Sequence, residues 1–151
     1  MLHFALESGG VDPITDDQGE SGVSIFNGVL FDGTPGAGGS KQDILLFIFN
    51  DDNTYQYNNP TVAVTSTDPT ATPSWFLMLD NDLIAGVSPT ESEWALYGIP
   101  GTGTLVLDTV TNSGGATPEV KMWLRAMVPD NTFTANLTGV KLKVSAVQEA
   151  V

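Results

Sequence analysis

The side chains that carry most enzymatic chemistry are scarce in this chain. There is one histidine, His3, and no cysteine. A Ser-His-Asp relay would have to recruit His3 from beside the chain's first residues, and no nucleophile-elbow motif is present to meet it. The glycine-rich runs 98–103 (GIPGTG) and 36–39 (GAGG) lie between strand-like segments and open no helix, so they read as turns and not as phosphate cradles. Carboxylates are abundant and often paired, at Asp16/Asp17, Asp51/Asp52, Asp80/Asp82 and Glu91/Glu93. Glycoside hydrolysis needs two carboxyls set across a cleft, whereas each of these pairs falls in a turn-rich stretch. The expectation is a protein without catalytic residues and without a cofactor.

Calcium is the one metal these acids suggest. The runs 50–53 (NDDN) and 80–82 (DND) offer several oxygen ligands within short loops, as a hard cation requires. Neither has the spacing of an EF-hand loop. Asp51, Asp52, Asp80 and Asp82 are therefore weak candidate ligands, and turn acids capping their own backbone are the stronger reading. Aromatic residues suggest binding. Tyr55, Tyr57, Trp75, Trp94 and Tyr97 lie in or near loops, where exposed rings stack on sugars or anchor an interface. Trp123 alternates with Lys121 and Arg125, which points to a covered interface face with cation–π support.

The elements that must position these residues are strands. Segments 43–50 (DILLFIFN), 61–66 (TVAVTS), 74–79 (SWFLML) and 104–110 (TLVLDTV) are apolar or β-prone runs bounded by turn residues. The continuous apolar character of 43–50 predicts a strand covered on both faces. A segment at 23–31 alternates as a strand does, and 94–99 is a weaker candidate. Segment 119–128 places Val120, Met122, Leu124, Ala126 and Val128 on one face, with Lys121, Trp123, Arg125 and Met127 on the other. Segment 140–147 places Val140, Leu142, Val144 and Ala146 inward, with Lys141, Lys143 and Ser145 outward. Such alternation predicts one face on a core and one in solvent. One short helical turn is predicted near 89–96, where Thr90 caps a first turn holding Glu91 and Glu93. Eight or nine short strands predict an all-β, single-domain antiparallel β-sandwich of Ig-like or jelly-roll-like type, spanning 23–151. Residues 1–22 read as a flexible N-terminal arm and acidic loop.

The 151 residues carry 18 acids and 5 basic side chains, a formal net charge of −13. This balance argues against nucleic acid, whose phosphates need clustered Lys and Arg. No stretch approaches the length of a membrane span, and the first residues lack the basic and apolar regions of a secretion signal. Residues 1–120 hold sixteen acids and one base, Lys41, whereas 121–151 hold two acids and four bases. The basic end, with Lys121, Arg125, Lys141 and Lys143, suggests a strand pair that faces an acidic neighbour, such as another copy.

Segments 47–62 (FIFNDDNTYQYNNPTV), 89–94 (PTESEW), 123–132 (WLRAMVPDNT) and 139–144 (GVKLKV), in that order, resemble small Ig-like β-sandwich structural proteins of tailed bacteriophages. The resemblance covers about residues 43–148, and the 32–40 loop and the 7–22 segment have no counterpart in it. It implies a non-enzymatic virion component assembled in the host cytoplasm. On the head it would be a decoration or cement protein bound to the major capsid protein or other virion proteins. A tail, baseplate or fibre component with a receptor- or carbohydrate-binding role is the alternative, and a calcium-stabilised module a further one. On this reading Leu2, Phe4 and Leu6 anchor the arm, Lys121, Trp123 and Arg125 form the interface, and Lys141 and Lys143 complement charge on a homo-oligomer.

Overall fold

The computed structural model describes residues 2–6, 30–32, 36, 40–66, 74–80, 87–100, 103–114, 119–128, 134–136 and 140–151. They form two antiparallel sheets. The first has five strands in the order β1 (Leu2–Ala5), β3 (Ser40–Asn50), β8 (Glu119–Val128), β5 (Ser74–Leu79) and β6 (Ile99–Pro100). The second has three, in the order β10 (Val140–Ala150), β4 (Tyr55–Ser66) and β7 (Leu105–Val106). A further two-stranded sheet pairs β2 (Leu30–Asp32) with β9 (Thr134–Asn136). The strand predicted at 23–31 lies mostly outside the described residues.

One core joins the two sheets, as a sandwich requires. Register makes it continuous. In the first sheet Phe4 lies opposite Ile48, Leu46 opposite Met122, and Leu124 between Ile44 and Leu77. In the second, Val62 pairs with both Val144 and Leu105, while Leu142 pairs with Val64. Leu2, Phe4, Leu46, Ile48, Leu77, Met122, Leu124, Leu105, Leu107 and Leu142 all reach this cluster. Asn50 ties the sheets at one end. Its Nδ2 donates to Tyr55 O at 2.7 Å and Thr111 O at 3.0 Å, and its Oδ1 accepts from Asp52 N at 2.9 Å.

Several expectations change in three dimensions. Segment 94–99 is not a strand: helix α1 spans Glu91–Tyr97, and only Ile99–Pro100 extends. A full capping box drives this, since Glu93 N donates to Thr90 Oγ1 while Thr90 N donates to Glu93 Oε2. Gly98 closes the helix, where a Cβ would meet Trp94 O at 2.5 Å. Segment 104–110 is strand only at Leu105–Val106, with Val110 bridging Tyr57. β10 runs on to Ala150, beyond the core, so Ala146 is exposed and not inward-packed. The first residues are no free arm. β1 is hydrogen-bonded to β3, and Leu2 and Phe4 are buried in the chain's own core, leaving Leu6 exposed. Residues 7–22 lie outside the described residues.

Candidate functional site

The expected solvent face of β8 is covered, because α1 lies over it. Trp94 and Trp123 pack with Met78 beneath the helix, flanked by Leu45 and Phe76. Asp43 sits directly opposite Arg125 in the β3–β8 register. Arg125 Nε donates to Asp43 Oδ1 at 2.7 Å and Nη2 to Asp43 Oδ2 at 2.9 Å, a bidentate fork. Arg125 Nη1 donates to both oxygens of Glu91, each at 3.0 Å, from the first turn of α1. The guanidinium lies 4.7 Å from the Trp94 ring centroid, and Trp94 Nε1 donates to Asp43 Oδ2 at 3.3 Å. Lys41 Nζ reaches Glu91 Oε2 at 3.3 Å. Two acids and two bases thus close on one another.

Electrostatics follow from this closure. Burial opposes the charge on Arg125, yet Asp43 and Glu91 outweigh it and raise the guanidinium above its ordinary pKa. Desolvation likewise opposes the Glu91 charge, but Lys41 and Arg125 hold its carboxyl below the usual glutamate value. A shallow pocket of about 180 Å³ opens beside the cluster, lined by Phe76, Glu91, Trp94, Ala95, Arg125 and Met127. It is smaller than the roughly 300–1,000 Å³ of typical ligand sites, and its guanidinium is already neutralised. This arrangement can lock a helix onto a sheet. Both of its carboxylates, Asp43 and Glu91, are held in ion pairs with Arg125.

The predicted groupings separate. Arg125 and Trp123 are spent internally, with Trp123 Nε1 donating to Asp80 Oδ1 at 2.9 Å. Lys121 lies on the same face, 5.9 Å from the Phe47 ring centroid. Lys141 and Lys143 belong to the other sheet, so the basic segments form no strand pair: β8 is flanked by β3 and β5, and β10 by β4. Trp94 offers no open face for sugar, because it is 6% exposed and Arg125 stacks on it. Trp75 packs partly buried against the core, as does Tyr57, while Tyr55 is exposed at the rim. Burial, with Asp52 and Asp51 nearby, raises the Tyr57 pKa.

Three of the four weak calcium candidates also find internal roles. Asp52 Oδ1 accepts from Thr54 N at 2.8 Å and Thr54 Oγ1 at 2.7 Å, the self-capped turn that its sequence suggests. Asp51 Oδ2 is 2.7 Å from His3 Nε2, joining the β1 strand to the turn after β3. Asp80 is buried against Trp123, and Asp82 lies outside the described residues. Among the described residues no group of three or more His, Asp or Glu side chains is gathered as a metal site needs. Motif reasoning missed Asp43, and it read Glu91 only as a turn acid in the first turn of a helix. The signal for Asp43 is a lone acid at the head of the apolar run 43–50, since a buried charge requires a partner. Comparison with known protein families, curated proteins and solved structures finds no match to the chain.

Proposed function

We propose that this chain is a non-enzymatic structural protein that works by assembly, as a decoration or cement component on the head of a tailed-phage virion. The closed Arg125 cluster carries this reading. The residues best suited to chemistry are consumed in fixing α1 to the five-stranded sheet, which is a way to build a rigid surface. The motif resemblance at 47–62, 89–94, 123–132 and 139–144 supplies the particle class. Partners are the major capsid protein or other virion proteins, and further copies of the chain. Co-sedimentation with assembled tailed-phage heads tests it: saturable binding is expected, and no binding to any assembled head would sink it. A carbohydrate-binding role is disfavoured because Trp94, its best platform, is covered by Arg125.

A further inference from the structure

The outer face of the three-stranded sheet takes no part in the Arg125 clasp, and register defines what it carries. Val62, Leu105, Leu142 and Val144 are buried, so their alternate neighbours point away from the core. Thr65 then stands beside Lys141, Ala63 beside Lys143, and Thr61 between Ser145 and Val106. Lys143 is exposed and Val106 is 54% exposed, so the face is open on both strands that flank β4. Its threonine hydroxyls are engaged within the sheet. Thr65 Oγ1 donates to Lys141 O at 3.2 Å, and Thr61 Oγ1 donates to Ser145 O at 3.3 Å. A partner can therefore cover the middle strand without stranding those donors. The charges on this face are different. Of the five basic side chains, Arg125 and Lys41 are neutralised by Asp43 and Glu91, and Lys121 lies against the Phe47 ring. Lys141 and Lys143 meet no carboxylate among the described residues, in a chain that holds 18 acids.

We infer that this sheet face docks an acidic surface of a different protein, one that presents two carboxylates about 7 Å apart to Lys141 and Lys143. That spacing is two residues along a strand, the separation of the lysines themselves. Ala63 and Val106 give the contact an apolar part, and the two lysines set its orientation. Charge complementarity selects the occupant. Two lysines are too few to neutralise a nucleic-acid backbone. A second copy is a poorer fit, because its carboxylates at Glu91, Glu93 and Glu149 are already held within the chain. The net charge of −13 does not forbid the contact. At physiological salt it is screened beyond about 8 Å, so the groups on the face itself decide the outcome.

This deepens the assembly reading by naming its docking face, and it rests on that reading only for the partner's identity. Two measurements keep them apart. In the first, a synthetic strand peptide with glutamate at two alternate positions is titrated into the full chain. Amide NMR shifts should be confined to 61–65, 105–106 and 141–145, and should vanish in Lys141→Glu/Lys143→Glu. In the second, the same double variant should bind assembled phage heads roughly 5- to 50-fold more weakly than wild type, with an unchanged melting profile. The loss should shrink as salt rises. Should that variant fold poorly, Lys141→Gln/Lys143→Gln removes the charges alone and should weaken binding by roughly 2- to 10-fold. Peptide shifts that are absent or scattered elsewhere, or heads bound equally by wild type and variant, overturn the docking face. Shifts at the face with no head bound overturn the assembly reading alone.

Discussion

Replacing Arg125 with methionine isolates what the buried cluster contributes. The guanidinium side chain is 6% exposed and its main partner Asp43 13%, so the variant strands a carboxylate with no countercharge in a nearly dry site. Breaking such a pair from one side costs about 3–5 kcal/mol. The Glu91 contact adds little, because that side chain is 67% exposed and water replaces the guanidinium. For a domain of this size the loss corresponds to a melting temperature lower by about 6–20 °C. The double variant Asp43→Leu/Arg125→Met removes both charges and fills the space with apolar atoms, so most of the loss should return, to within about 1–2 kcal/mol of wild type. Urea unfolding followed by tryptophan fluorescence reads both, provided the slope with denaturant is unchanged. A cost under about 1 kcal/mol for Arg125→Met, or a double variant no better than the single one, would show that Asp43 does not need its countercharge.

Phe4→Ala should destabilise the chain by about 3–5 kcal/mol, since Phe4 is fully buried in the core. Deleting residues 1–8 should therefore unfold or markedly weaken the domain by circular dichroism, and a deletion that left its melting unchanged would contradict the docking of β1. Thr90→Ala should cost about 1 kcal/mol through loss of the capping box, read as a lower urea midpoint, with no shift expected from the neighbouring exposed Glu91→Gln beyond its ion pairs. Stability should also fall on acidification. The Glu91 carboxyl is depressed below 4.5 in the folded chain, so its contribution is complete above pH 4.5 and disappears as pH drops through the folded value. Glu91→Gln should flatten the acid limb of a melting-temperature profile below that pH, and an unchanged limb would refute the assignment.

Much of the strand framework was legible in one dimension. Segments 74–79 and 119–128 emerge with the predicted bounds, and the Thr90 cap does start a helix, because alternation and capping are local rules set by neighbouring residues. Segment 94–99 misled because the alternation of Trp94 and Leu96 imitates a strand face over too few residues to separate it from a short helix. The capping box of Thr90 and Glu93, just upstream, decided between them. Ala146 misled for a different reason: alternation continues along β10 after the sheet that would bury it has ended.

What the sequence alone determined is the class of the fold, the scarcity of catalytic side chains and the concentration of base in the last 31 residues. Only the tertiary structure decided how that charge is used. Arg125 meets Asp43 across 82 positions of chain and Glu91 across 34, so one apparent basic face divides between an internal clasp on one sheet and a lysine-bearing edge on the other. Register and sheet order are long-range quantities, set by which strands lie side by side, and no local pattern of residue types contains them.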